Sequence, residues 1–244
     1  MKLVARLMAT PDLSIQQRDE MLALMDRHYA NVRRDVFESD LEEKPWVILI
    51  NEPRNGDLCG FSTQMLLDAE AAGRPIKALF SGDTIIDQSH WGDQALAHVW
   101  GRLALSLINE HPDSMLYWFL ISKGYKTYRF LPVFFHEFYP RHDGPTPPSA
   151  KAMIDALARA RYPDDYESDG GIVRAGSRQY RLREGLADVT EGRLRDDHVR
   201  FFQVSNPGHS QGDELCCLAP LTRANFTSLA YRVIGPESVP LAIP

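Results

Sequence analysis

Residues 77–110 concentrate the backbone and side chains best suited to chemistry. An apolar run over 76–86 carries Ser81-Gly82-Asp83 at its middle and ends on Ile85-Ile86. A polar loop follows, Asp87-Gln88-Ser89-His90-Trp91-Gly92-Asp93, and then Gln94 opens a segment in which Ala95, Val99, Leu103 and Leu107 recur at every fourth position. That order is strand, loop, helix. The first turn of a helix has amide N–H groups without intrahelical partners and a partial positive charge, so a loop that bares it holds an anionic ligand without a basic side chain. Glycine inside the strand marks a bulge or a bend. Asp83 sets a carboxylate at that bend, and His90 sets in the loop the side chain most easily tuned to neutral pH. Plainer readings stand beside these. Asp83 can shape the bulge by bonding local backbone, while His90 can be an ordinary loop residue and Trp91 a cap on the core.

Other chemistries lack a signal. The three cysteines, Cys59, Cys216 and Cys217, form no CxxC pair and no zinc spacing, and read as small buried hydrophobes, with Cys59 the one weighed as a nucleophile. There is no serine nucleophile elbow, phosphate-binding Walker loop, dinucleotide glycine fingerprint or HExxH motif. A net charge of -6 argues against a nucleic-acid partner. No apolar run approaches the roughly 18 residues of a membrane helix. Arg6 interrupts the apolar stretch after Met1, which excludes a signal peptide, and the expected compartment is the cytoplasm.

The elements that must position residues 77–110 are legible in turn. Residues 4–9 form a strand, and Ser14 caps a helix over 15–29 with Met21, Leu22, Leu24 and Met25 at helical spacing. A more polar helix covers 33–43 and Pro45 ends it. Residues 46–51 and 58–67 make a hairpin about the turn 52–57. Residues 71–75 connect to the strand at 76–86. After the helix at 94–109, residues 115–121 form a strand buried on both faces. Gly124 opens an aromatic helix with Tyr125 and Tyr128, kinked or split at Pro132. Residues 141–148, with three prolines and a glycine, read as a linker. The predicted organisation is a domain over 1–140 and a C-terminal α+β extension over 149–244, serving as a lid, a substrate region or a homodimer surface. In that extension His209 and Asp213 flank a shaped loop after Asn206-Pro207-Gly208.

This order, with its hairpin, bent strand, loop and helix, resembles the GCN5-related N-acetyltransferase (GNAT) superfamily over residues 1–140. Gly56-Asp57-Leu58-Cys59-Gly60-Phe61 looks like the family's hairpin turn with its Gly-Phe pair. Asp83-Thr84-Ile85-Ile86-Asp87 looks like its fourth strand, and Ser89-His90-Trp91-Gly92-Asp93-Gln94 occupies its pyrophosphate loop. The resemblance implies an α/β fold with a mixed, largely antiparallel central sheet flanked by helices. It implies an acyltransferase that moves an acyl group from acetyl-CoA or a longer acyl-CoA, or from an acyl-carrier protein, to an amine of a small molecule.

The resemblance also assigns roles. Ile85 and Ile86 pair with the pantetheine arm, while Ser89, His90, Trp91, Gly92, Asp93 and Gln94 line the diphosphate loop. A backbone N–H of the bent strand stabilises the oxyanion. Asp83 is the candidate base for the amine and Tyr128 the candidate acid for the departing thiolate, against the reading of Tyr128 as an aromatic core residue. Departures are local. Ser89 stands where the family has Gln or Arg, Gln94 stands where it has Gly or Ala, and Pro132-Val133 replace the Gly-Phe pair after its tyrosine. A non-catalytic GNAT-like binding or regulatory module is the alternative.

Overall fold

A computed structural model describes residues 2–176, 180–183, 185–186, 188–236 and 241–244. The chain begins with β1 (Val4–Ala9), α1 (Ile15–His28), β2 (Tyr29–Ala30) and α2 (Arg34–Glu42). Next come β3 (Trp46–Asn51), β4 (Leu58–Ala71), β5 (Arg74–Ile86), α3 (Ala95–Glu110) and β6 (Leu116–Ser122). Then follow α4 (Tyr125–Tyr128), α5 (Phe130–Phe134), α6 (Pro148–Arg161), β7 (Tyr166–Glu167), β8 (Ile172–Val173) and β9 (Arg181–Leu182). The chain closes with α7 (Asp197–Ser205), β10 (Glu214–Pro220) and α8 (Ser228–Ile234). The fold is mixed α/β. The main ladder runs β1-β3-β4-β5-β6-β10-β8-β7, and its β1/β3, β3/β4, β6/β10, β8/β10 and β7/β8 pairs are antiparallel.

The chain divides into two compact units, each discontinuous in sequence. The first is Met1–Met65, Ser81–Pro112 and Ser228–Pro244, and the second is Leu66–Phe80 and Asp113–Thr227. The long strands β4 and β5 run from one unit into the other. This differs from the expected boundary at 141–148. Composition marks that segment as a linker, yet Tyr139 just before it exchanges two backbone hydrogen bonds of 2.7 Å with Leu218 of β10. β10 lies beside β6 in the ladder, and α8 falls in the first unit.

In the first unit, Ser14 accepts from the Gln17 amide and Gln17 returns the bond to Ser14, a capping box that starts α1 where the sequence predicts. Met21, Leu24 and Met25 bury the inner face of α1, while Val47, Ile48, Leu49 and Ile50 are fully buried along β3. Helix α3 packs on α8 so closely that a Cβ on Gly101 would stand 2.3 Å from Ile234 Cγ1. Glycine there is a packing requirement.

In the second unit the core is apolar and aromatic: Phe80 and Phe119 lie 5.9 Å apart, and Leu215 to Ala219 are all buried. Ala72 and Gly73 join β4 to β5 in a two-residue turn with φ of 51° and 73°. Both strands are therefore longer than the sequence suggests.

Candidate active site

The bent strand is held by a chain of polar side chains within the first unit. On β4, Ser62 and Gln64 are two residues apart and share a face. Ser62 Oγ lies 2.6 Å from Thr84 Oγ1, while Ser81 Oγ donates to Gln64 Oε1 at 2.8 Å. Gln64 Nε2 donates to Ser62 Oγ at 2.7 Å, and Trp100 Nε1 of α3 donates to Ser81 Oγ at 3.2 Å. On β5, however, Ser81 and Thr84 are three residues apart, an odd step that a regular strand would send to opposite faces. Both reach one face only if the pleat slips by one residue between them, so the bulge falls at Gly82-Asp83. Asp83 is half-buried at that bulge.

Glycine is required again where β5 leaves the sheet. A Cβ on Gly60 would sit 2.6 Å from the Ile85 carbonyl oxygen and 3.2 Å from Ile86 Cα, both backbone atoms. The close approach is fixed by the Asp87 N–H, which donates to the Cys59 carbonyl at 2.8 Å. Cys59 is buried, and burial pushes its thiol pKa up, which disfavours a nucleophilic thiolate.

The loop that follows closes on itself. The Asp87 carboxylate accepts from the Ser89 amide at 3.1 Å and the Ser89 hydroxyl at 2.7 Å. The hydroxyl bond, helped by Arg27 at 3.7 Å, holds the Asp87 carboxyl below the usual range. Trp91 Nε1 donates to the Ile86 carbonyl at 3.0 Å while nearly half of the side chain stays exposed. His90 donates its backbone N–H to the Asp87 carbonyl. Gly92 has φ of +99°, a left-handed conformation that lets the chain turn into α3.

Asp93 then takes the helix end. Its Oδ1 accepts the Ala95 amide at 2.7 Å and its Oδ2 accepts the Leu3 amide of the opening strand segment at 3.2 Å. Gln94, at the N-cap, makes no side-chain capping bond. The structure thus gathers Ile85, Ile86, Ser89, His90, Trp91, Gly92, Asp93 and Gln94 into one strand end, loop and helix start.

Tyr128 belongs to the second unit. Its side chain is fully buried, and its hydroxyl donates to the Pro140 carbonyl at 2.9 Å. Phe202, Phe201 and Phe138 surround it with ring centroids 5.7, 6.1 and 6.3 Å away. Burial drives its pKa far above the ordinary tyrosine value. The surroundings are those of a satisfied core tyrosine. In the tail, Asp213 accepts from Arg174 and from the Ala175 amide, which ties the shaped loop to the segment after β8. No group of three or more potential metal ligands occurs among the described residues.

Sequence reasoning missed Ser62, Gln64, Trp100 and Arg27. The signal for the first two was present: Ser62-Thr63-Gln64 is a polar run inside a strand otherwise apolar enough to be buried, and buried polar groups need partners.

No family model matches the chain, and no curated protein matches it. Among solved structures, a probable N-acyltransferase from Enterococcus faecalis V583 is similar over 57% of this chain and 33% of that one, with TM-score 0.42 and 13% identity. A GNAT-family N-acetyltransferase from Escherichia coli, in complex with CoA, is similar over 50% of this chain and 65% of that one, with TM-score 0.35 and 16% identity. Glucosamine-6-phosphate N-acetyltransferase from Arabidopsis thaliana gives TM-score 0.33 and 15% identity over 49% of this chain and 82% of that one. The chain therefore spans a third of the first relative's length and just under two thirds of the second's. The chain is similar, over about half its length, to a probable N-acyltransferase and to two N-acetyltransferases, one of them of the GNAT family.

Proposed function

We propose that this protein is an N-acyltransferase that moves an acyl group from a pantetheine thioester, carried on CoA or on an acyl-carrier protein, to the amine of a small molecule. The observation that carries the reading is the bulge between Ser81 and Thr84, held by Gln64, Ser62 and Trp100 and followed directly by the loop and first turn of α3. A bulge takes backbone groups out of the ladder. In this reading a backbone amide at the Gly82 step meets the acyl carbonyl, beside the Asp83 carboxylate.

In this reading the neutral amine attacks the thioester carbonyl carbon, and the π electrons move to oxygen, where the backbone N–H stabilises the oxyanion. Collapse of the tetrahedral species re-forms the carbonyl and expels the thiolate. Asp83, directly or through water, takes the proton that the amine nitrogen loses. Ile85 and Ile86 flank the pantetheine arm, and residues 89–94 border its far end. An acid role for Tyr128 would require its hydroxyl to leave the Pro140 carbonyl, so the thiolate takes its proton from solvent.

The test is thermal-shift titration with acetyl-CoA, longer acyl-CoAs and acylated carrier protein, followed by thiol release across a panel of amines. Asp83→Asn should lower turnover by about 10²-fold or more while leaving donor affinity unchanged. Absence of both thermal shift and thiol release with every donor would remove the acyltransferase reading and leave that of a non-catalytic binding module.

A further inference from the structure

The start of α3 is already occupied by a carboxylate of this chain. Asp93 Oδ1 takes the N1 amide of the helix, that of Ala95, at 2.7 Å. Its Oδ2 takes the Leu3 amide at 3.2 Å, so the carboxylate is held from two elements far apart in sequence. A bound diphosphate would compete for that amide and would face Asp93 at hydrogen-bonding range. A second carboxylate, Asp87, lies six residues earlier in the same loop. A cation beside that loop, Arg27, pairs with Asp87 at 3.7 Å. Like charges a few ångströms apart repel, the more so where the site is partly removed from water.

We infer that Asp93 is a specificity-determining residue: its carboxylate fills the anion position at the α3 N-terminus and selects thioester donors that place no diphosphate there. The inference rests on the acyltransferase reading and sharpens its donor. The class selected is an acyl-pantetheine whose arm ends in a hydroxyl or a single phosphodiester, the form attached to a carrier protein, in preference to acyl-CoA. The loop itself contributes no lysine or arginine, and His90 is its one basic side chain.

The experiment compares wild-type protein with Asp93→Asn. Asparagine caps helices as well as aspartate does, so the variant removes charge while keeping an acceptor for Ala95. Binding of CoA, of acetyl-CoA, of S-acetylpantetheine and of inorganic pyrophosphate is measured by calorimetry at low ionic strength, and circular dichroism confirms the fold. Wild type should bind acetylpantetheine at least as tightly as acetyl-CoA and show no pyrophosphate binding. Asp93→Asn should tighten CoA and pyrophosphate about tenfold or more and leave acetylpantetheine within a factor of about two. Tight CoA binding by wild type that Asp93→Asn leaves unchanged or weakens would overturn the inference while leaving acyl transfer standing. Failure of both proteins to bind any pantetheine thioester would instead overturn the acyltransferase reading, and the inference with it.

Discussion

Asp83 and Tyr128, the side chains that acyl transfer would most obviously enlist, lie in segments built on opposite principles. Around Asp83, five polar side chains of β4, β5 and α3 are joined by hydrogen bonds between 2.6 and 3.2 Å. Around Tyr128, three phenylalanine rings lie between 5.7 and 6.3 Å, and the tyrosine hydroxyl donates to the Pro140 carbonyl. Hydrogen bonds are directional and fix a register, which is what a bulge needs to stay at one step of a strand. Ring packing fills volume and tolerates small displacements. The difference teaches that residue type alone does not mark a catalytic position. A carboxylate at a pinned backbone irregularity and a phenol bonded to a buried carbonyl stand under different constraints.

The strongest way to break the comparison is to disturb the pinned strand at its backbone. Gly60→Ala would drive a Cβ to within 2.6 Å of the Ile85 carbonyl, and backbone cannot swing aside as a side chain can. A loss of about 3 kcal/mol in urea unfolding is expected, with donor binding lost as well. A loss below about 1 kcal/mol would show that the end of β5 yields, and that the bulge is not rigidly held. Gln64→Leu comes next. It removes the bonds to Ser81 and Ser62 and leaves their hydroxyls buried, which should cost about 2 kcal/mol. A double-mutant cycle with Ser81→Ala should return a coupling above about 0.5 kcal/mol. Additive effects would mean that the polar chain does not act as one unit.

Tyr128→Phe sharpens the other side. It deletes one hydrogen bond and leaves the Pro140 carbonyl unpaired, with the ring packing intact. A stability loss of about 1 kcal/mol is expected, with turnover per folded molecule unchanged. A fall in turnover of tenfold or more at constant donor affinity would restore Tyr128 as an acid and erase the contrast.

Much of this was legible in the sequence, for reasons that differ from element to element. β1 and β3 have the expected ends because short apolar runs between breakers have only one reading. The bulge was legible because glycine beside aspartate inside an apolar strand has few other uses. β4 and β5 overran their expected ends because their turn places Ala72 at a positive φ, which alanine does not advertise. The aromatic helix breaks at Arg129 and not at Pro132, because Pro132 falls in the first turn of α5, where its missing N–H costs little. At the candidate site, the charge of Asp93 could be read directly. Its bond to Leu3, ninety residues away, could not, since local pattern carries no information about such a contact. The same holds for Gly101 and Ile234, whose contact makes α8 part of the first unit.

The smallest expected effect is a slope, and it again separates the two segments. The polar chain of β4 and β5 contains no group that titrates near neutrality. The aromatic segment does: His198 packs edge-on to His142 at 4.4 Å and lies 5.9 Å from Phe138, and its Nδ1 is buried without a hydrogen-bond partner. Burial, and then the neighbouring His142, lower the His198 pKa, while Asp196 and Asp143 oppose the shift. A histidine with a lowered folded-state pKa binds fewer protons folded than unfolded. Its contribution is therefore full above the unfolded value of about 6.5 and is lost as pH falls from there through the folded value. Urea midpoints between pH 7.5 and 5 should fall with pH in the wild type and fall less steeply in His198→Gln. Equal slopes would move the effect to His209, which burial also holds low, and would leave the ring pair without a role in the acid sensitivity of this segment.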